Sequence, residues 1–206
     1  MKKIQLLIIS LFSFGAIAQN ISKINSDLNI SDSLNHEIEI RIYQIGGITN
    51  YNSLFRMFKD NSEKWTAKFY EHYSKVDKQS KIRILEKSVK SEHDMDFVYQ
   101  NLLRSHILEL SNLDDIKWKL ESRGPVIPFE NKVNGELVKE YGFIINKSAI
   151  LDGKTYTIQV KALGKTNSFS YSNPESYFKK YPEVDELIYV CEILDIIKSE
   201  FNIWKK

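Results

Sequence analysis

Alternation of apolar and polar residues over positions 36–45 is the feature that most constrains the fold. In this segment, HEIEIRIYQI, isoleucine occupies every second position from Ile38 to Ile42, and charged residues lie between them. A period of two is typical of a strand with one face in the core and the other toward solvent, as in many antiparallel sheets. The segment therefore predicts the first strand of such a sheet.

Further segments extend this strand into a meander. Segments 52–59 and 64–73 also alternate, and turn-forming residues over 60–63 separate them. Three successive strands with short connections predict antiparallel neighbours. Segment 81–89 fits either a strand or a helix, and we favour a fourth strand.

A change to a period of 3.6 residues predicts helices in the later part of the chain. Apolar residues recur at this period over 94–111, with Ser91 as the N-cap. Near the C-terminus, Ser172–Glu175 matches a capping box and predicts a short helix ending at Lys180. Pro182 then opens a longer and more apolar helix.

A loop and further strands are predicted between the helices. Residues 123–135 hold two of the four prolines and predict a loop, which a candidate strand over 138–145 follows. Segments 155–162 and 166–171 predict a hairpin. Together the elements predict a single α+β domain over 36–206. Its antiparallel sheet consists of the N-terminal meander and the C-terminal hairpin, with helices packed mainly on one face.

The N-terminus has the three parts of a signal peptide. Lys2 and Lys3 precede an apolar run over 4–14, and Ala16 and Ala18 form the small-x-small pattern that precedes cleavage. We therefore predict a signal peptide that ends at Ala18. The mature protein is expected in the periplasm or outside the cell.

The mature chain is expected to be neutral and not to insert into a membrane. Lys2 and Lys3 account for the whole formal net charge of +2. Without them the chain lacks the basic surface that nucleic-acid binding requires. No second apolar run is long enough to span a bilayer. Residues 19–35 are polar and rich in Ser and Asn, and they predict a flexible segment ahead of the domain.

No residues form a complete catalytic motif. His93 lies in an acidic cluster at a helix start, and His106 and Glu109 are three residues apart on the same predicted helix. These three are weak catalytic candidates, because capping and a solvated helix face explain the same residues. Ser176 and Lys179 have the S-x-x-K spacing without its companion motifs.

We predict no metal or cofactor site. Cys191 is the only cysteine, which excludes an intramolecular disulfide and cysteine-rich zinc or redox chemistry. It lies on the apolar face of the last predicted helix, so we expect a buried thiol.

The segment QIGGITNYN raises the possibility of a ligand-binding loop. A strand follows it instead of a helix, so Gly46 and Gly47 predict a hairpin reversal with positive φ rather than a phosphate site. The exposed tip and the tyrosines on the strand face opposite the isoleucines form the predicted binding surface. Its residues are Tyr43, Thr49, Asn50, Tyr51 and Tyr70.

Several segments resemble an uncharacterised family of short secreted bacterial proteins. These are TNSFSYSNPESYFKKYPEVDELIYV over Thr166–Val190, EFNIW over Glu200–Trp204, and the earlier GGITN and FRMFKD. The resemblance implies export and a single domain, and it assigns no activity or ligand.

The leading hypothesis is an exported, non-enzymatic binding domain that recognises a protein or a glycan at the bacterial cell envelope. One alternative is a small exported hydrolase, which requires His93, His106 and Glu109 to converge in one pocket. Another is an immunity or inhibitor protein with a cognate partner. The sequence leaves the oligomeric state open.

Overall fold

The computed structural model describes residues 20–46, 49–77, 79, 81–147, 150 and 153–204. The predicted signal peptide and Gly47 lie outside the described residues. The elements, in chain order, are a helix whose described part is residues 20–27 (α1), β1 (Ile38–Gly46), β2 (Tyr51–Lys59), β3 (Trp65–Tyr73), β4 (Arg83–Ser88), α2 (Met95–Arg104), a 3₁₀ turn (Lys117–Leu120), β5 (Glu121–Val133), β6 (Glu136–Lys147), β7 (Lys154–Ala162), β8 (Lys165–Ser172), α3 (Pro174–Lys180) and α4 (Asp185–Phe201).

Six strands form one antiparallel sheet in the order β4-β3-β2-β1-β7-β8, and β5 and β6 form a separate two-stranded sheet. The predicted α+β class is therefore confirmed, as are the meander and the C-terminal hairpin, which join through the pairing of β1 with β7. The strand favoured over 81–89 is β4. No helix among the described residues is long and apolar enough to cross a membrane.

The main core lies between one face of the sheet and helices α2 and α4. Ile42 and Phe55 are neighbours in the sheet and fully buried, and α4 covers this face with side chains such as Leu194 and Ile197. Cys191 belongs to the same core, and burial raises the pKa of its thiol to about 12. The expectation of a buried thiol is thus confirmed.

The opposite face is covered by the N-terminal segment, which the sequence predicts to be flexible. That prediction is wrong for residues 20–27, which form α1. Ile21 and Ile24 pack on Tyr43, Leu54 and Tyr70 in a second apolar cluster. Ile21 and Ile24 have helical spacing, but the residues around them are mostly Ser, Asn and Lys. The polar composition of the segment therefore obscures the apolar side of the helix.

Beside this cluster lies a buried ionic cluster formed by Glu39, Arg41 and Arg56. The side chains of Glu39 and Arg41 are fully buried, and that of Arg56 is 14% exposed. One Glu39 oxygen, Oε1, accepts hydrogen bonds from the Nε atoms of Arg41 and Arg56, each at 2.8 Å. The alternation of β1 predicts a solvated polar face here, and the structure buries it.

Residues 31–36 complete the hydrogen bonds of this cluster. Arg41 donates to the carbonyl oxygens of Ser31 at 2.5 Å and Ser33 at 3.1 Å. The backbone N–H of Asn35 donates to Glu39 Oε2 at 2.8 Å. A buried charge is tolerated only when it is paired and hydrogen-bonded, so the ionic cluster requires this covering segment.

Three predicted helix boundaries differ from the structure. The N-cap of α2 is Asp94 instead of Ser91, because the Asp94 carboxylate accepts from the backbone N–H groups of residues 96 and 97. This helix ends at Arg104 instead of 111, because His106 adopts φ 54°, which no helical residue can keep. The capping box over 172–175 does not form, since Asn173 is the N-cap of α3 in a left-handed conformation.

The predicted loop over 123–135 is also wrong. These residues lie in β5 up to Val133, and the prolines fall at a bulge and at a strand edge instead of in a loop. A proline is compatible with such positions because neither requires its N–H for pairing.

Glu39 makes the stability of the fold depend on acid pH. Burial opposes ionisation of Glu39, but hydrogen bonds and charge from Arg56 and Arg41 outweigh it and hold the pKa of Glu39 below its ordinary 4.5. A lowered folded-state pKa stabilises the fold above the unfolded value, and this contribution is lost as the pH falls through the folded value. We therefore expect the free energy of unfolding, measured with urea, to fall between pH 7 and pH 3.

The matched variant is Glu39→Gln, which leaves both guanidinium groups without a carboxylate. We expect it to unfold at pH 7 with about 3 kcal/mol less free energy than the wild type, since it removes one partner from a buried cluster. The gap should narrow below about pH 4 as Glu39 of the wild type becomes protonated. An equal gap at pH 7 and pH 3 would contradict the assignment.

Candidate functional site

The two-stranded sheet of β5 and β6 projects from the body of the protein. We call residues 121–147 the arm. None of its described side chains belongs to either apolar core, and its most extensive packing outside itself is with the 3₁₀ turn over Lys117–Leu120 that precedes it. An isolated two-stranded hairpin is marginally stable in water. The arm is therefore the part of the fold that most lacks a partner.

The tip of the arm is a tight turn specified by two residues. Asn134 has φ 53° and Gly135 has φ 96°, and Val133 pairs with Glu136 around them. This is the two-residue hairpin turn that Asn-Gly favours, because both central residues need positive φ. Asn-Gly is the signal in the sequence that could have identified β5.

Apolar side chains are concentrated on the arm. It carries ten of the fifteen large apolar residues that are exposed in the part of the chain that the structure describes. Leu137 is 70% exposed and Tyr141 67%. The ten are Val126, Ile127, Phe129, Val133, Leu137, Val138, Tyr141, Phe143, Ile144 and Ile145.

Both faces of the arm carry these side chains. Strand alternation and the observed pairing put Val126 and Phe143 on one face, and Phe129 and Val138 on the other. On the first face, the Lys139 ammonium lies 5.5 Å from the centre of the Tyr141 ring. An ordinary hairpin on a protein surface turns one polar face to water, and this arm does not.

The second face has its own internal contacts. The Phe129 ring lies over Gly142, where a Cβ atom would be 3.0 Å from the ring, so the glycine makes room for it. Asn131 donates to Glu140 across the strands at 3.2 Å. These contacts set the register of the arm without covering its apolar surface.

The two long edges of the arm are not equivalent. Pairs of an antiparallel ladder alternate between hydrogen-bonded and non-hydrogen-bonded, and the turn makes Val133 with Glu136 a hydrogen-bonded pair. Pro128, five positions earlier, lies in a non-hydrogen-bonded pair with Tyr141, so the outward N–H is missing at Pro128. Pro125 lies in the bulge of the same strand. The β5 edge is thus blocked to further pairing.

The β6 edge has no proline. By the same alternation, backbone N–H and C=O groups point outward on this edge from Leu137 to Ile145 at every second residue. A regular edge with its hydrogen-bonding groups free is the structure that another strand can join.

A second candidate site is a groove between the N-terminal segment and strands β7 and β8. Two adjoining cavities of about 330 Å³ and about 460 Å³ share Asp32, Gln159 and Ser168. Hydrogen bonds from Ser22 and Asn25 hold the pKa of Asp32 below its usual range. The Asp32 carboxylate is therefore ionised, and its two oxygens already accept hydrogen bonds from side chains of the protein.

The groove does not offer a stacking surface for a sugar. Phe169 is the only aromatic residue in its lining among the described residues, and this side chain is 1% exposed. Glycan sites commonly present the faces of exposed aromatic rings, because these combine apolar contact area with a polar surrounding. The apolar arm is the better-supported site.

Two predicted binding residues are buried. Tyr43 is fully buried, and its hydroxyl donates to Asn25 of α1 at 2.8 Å. Tyr70 is 4% exposed under the same helix. The predicted contact role of Tyr43 and Tyr70 is therefore wrong, because α1 covers the face on which they lie.

The other three predicted binding residues lie at the β1–β2 turn. Thr49 and Asn50 are exposed, whereas Tyr51 is half-buried with its ring 5.2 Å from that of Tyr73. Gly46 is not in the predicted positive-φ conformation. It is needed for space, because a Cβ atom there would lie 2.6 Å from the Thr49 hydroxyl.

The weak catalytic candidates do not converge. His93 and His106 flank opposite ends of α2, whose ten residues span about 15 Å. The His93 Nδ1 atom lies 2.9 Å from Glu200, whereas Glu109 lies 3.9 Å from Lys165. The single pocket required by the hydrolase hypothesis is therefore absent from the described residues.

The other polar side chains that could carry chemistry do not form a catalytic or metal site among the described residues. Ser176 and Lys179 are exposed on the rim of a cavity of about 1000 Å³ between α3, α4 and β7. His72 is 1% exposed and lies 2.8 Å from Asp27. Within the described ranges, no three His, Cys, Asp or Glu side chains are grouped so that they could hold a metal ion.

Comparison with known proteins adds no assignment, since no family model, curated protein or solved structure matches the chain. The resemblance to a family of secreted bacterial proteins stays a prediction.

The arm should be dispensable for folding of the body. We expect replacement of residues 123–145 by Gly-Ser-Gly-Ser to change the melting temperature by no more than about 4 °C, because no described arm side chain contributes to a core. Ser122 and Asn146 are paired neighbours, so this short linker can join them. Calorimetry checks the value, and loss of cooperative unfolding would show that the arm supports the body.

Proposed function

We propose that this protein is an exported, non-enzymatic interaction protein of the bacterial cell envelope, and that its arm binds a protein partner. The observation that carries the proposal is the concentration of ten exposed apolar side chains on one projecting hairpin. Large exposed apolar patches are rare on monomeric proteins and mark interaction surfaces.

The shape of the arm favours strand addition as the mode of binding. A partner strand at the free β6 edge would supply the third strand that a hairpin needs for independent stability. Backbone hydrogen bonds would then provide affinity, and the side chains on the two faces would provide specificity.

A protein is favoured over a glycan as the partner because of the chemistry of the arm. Its exposed residues are mostly aliphatic, with Phe129, Tyr141 and Phe143 as the aromatic rings. Aliphatic surface gains most when it packs against other apolar surface and loses contact with water. A sugar, with hydroxyl groups at every edge, offers little of this surface.

Export rests on the predicted signal peptide. We expect N-terminal sequencing of the protein, purified from the fraction outside the inner membrane after expression of the full chain, to begin at Gln19. A protein that retains Met1 and stays in the cytoplasm would remove export from the proposal without affecting the arm.

Binding is tested by capture of envelope proteins from the source bacterium on the immobilised protein. The variant is Tyr141→Ser with Phe143→Ser, two apolar rings on one face of the arm. We expect at least about 10-fold less retained partner, because aromatic residues dominate binding energy at interfaces.

The matched control is Val76→Ser with Leu163→Ser, since these residues are 75% and 70% exposed and lie outside the arm. The control should retain the partner as the wild type does. Equal loss in both double variants, or in neither, would count against the arm as the binding site.

A further inference from the structure

We propose that the partner of the arm is a second copy of this chain, joined through the two β6 edges in an antiparallel, two-fold arrangement. This inference rests on the proposed function and names the occupant of the same site. The product is a four-stranded sheet in the order β5-β6-β6-β5, of which each copy contributes two strands.

The edges of the arm support a closed pair. The β6 edge is free from Leu137 to Ile145, whereas Pro125 and Pro128 block the β5 edge. Only the β6 edge can therefore accept a strand, and a pair joined through it presents two blocked edges to the outside. Assembly stops at two copies instead of continuing as a fibre.

The charge of the arm is compatible with binding to itself. Between residues 121 and 147 there are four acidic and four basic residues, so two arms do not repel through net charge. A lipid headgroup or another anionic partner would favour a basic arm instead.

One register of the two β6 strands brings compatible side chains opposite each other. With Tyr141 opposite its own copy, Leu137 faces Ile145 and Val138 faces Ile144, so that apolar residues meet on both faces. The same register puts Lys139 opposite the Phe143 ring, where its cation has a favourable position.

The neighbouring registers are worse. If Glu140 were opposite its own copy, two carboxylates would face each other directly. If Gly142 were central, Val138 would face Asn146 and Glu140 would face Ile144. A shift by a single residue is also excluded. It would place a residue whose backbone N–H and C=O groups point out from the β6 edge opposite one whose groups point toward β5, and these cannot form a hydrogen-bonded pair. Tyr141 is therefore the centre of the proposed interface.

The test is sedimentation equilibrium of the purified protein with two matched proline variants. Glu130 and Lys139 are partners on one rung, and by alternation both point their N–H groups outward, on opposite edges. Lys139→Pro therefore blocks the β6 edge, and Glu130→Pro blocks the β5 edge, while neither removes a hydrogen bond within the arm.

We expect the wild type and Glu130→Pro to form dimers. Lys139→Pro should raise the dimer dissociation constant at least about 30-fold, since two-fold symmetry removes two intermolecular hydrogen bonds. Equal effects of the two prolines, or a wild type that is monomeric at about 0.1 mM, a concentration at which even weak dimers form, overturn the proposal.

A second measurement does not depend on proline. Under mild oxidation Tyr141→Cys should form a disulfide-linked dimer, because its Cα atom would lie about 5.5 Å from that of its copy, within disulfide range. Val126→Cys, on the β5 edge, should not, and Cys191 is buried and does not compete. A linked Val126→Cys dimer with an unlinked Tyr141→Cys protein overturns the register and the edge.

These results separate the inference from the proposed function. A monomeric protein whose arm still captures a different envelope protein overturns the second copy as partner and leaves the binding role of the arm. A dimer that persists after residues 123–145 are replaced overturns the arm as the dimer site.

Discussion

The buried ionic cluster of Glu39, Arg41 and Arg56 determines how the sheet is covered. Charges at this depth cost several kcal/mol each unless every one is paired and hydrogen-bonded, so an apolar helix alone could not cover this face. The carbonyl and N–H groups of residues 31–36 meet the guanidinium and carboxylate groups, while α1 covers the adjacent apolar cluster. The position of the N-terminal segment thus follows from the sheet, although its own composition is typical of a flexible chain.

The arm shows the opposite relation between composition and burial. Its apolar content resembles that of a core strand, yet β5 and β6 pair only with each other and ten of their large apolar side chains are exposed. Covering this apolar surface requires a partner that the described part of the chain does not supply. The body has a complete core without the arm, so the arm can meet an external strand without any rearrangement of the body.

Local periodicity accounts for what could be predicted from the sequence. The strands β1, β2, β3 and β7 could be predicted because alternation is a pattern of residues adjacent in sequence. The α+β class follows from these strands and from the helical periodicity of the later segments. The burial of Tyr43 and Tyr70 depends on α1, which is distant in sequence from Tyr70 and hidden in a polar run. The candidate strand over 138–145 is β6 of the arm. Strand β5 is not predicted because its prolines suggest a loop, although Asn134–Gly135 marks a hairpin turn. Hydropathy cannot show whether an apolar strand is inside the protein or exposed, since both have the same composition.

The antiparallel register has a consequence for the shape of the pair. With Tyr141 at the centre, the tip of each arm lies beside the base of the other, because Glu136 is opposite Asn146. The two bodies of the proposed pair would therefore lie at opposite ends of the four-stranded sheet. Six strand positions separate each Lys147 from the shared centre, twelve in total, which is about 40 Å. At this distance body surfaces such as the β1–β2 turn with Thr49 and Asn50 stay accessible in both copies, so pairing through the arm leaves them free for other contacts.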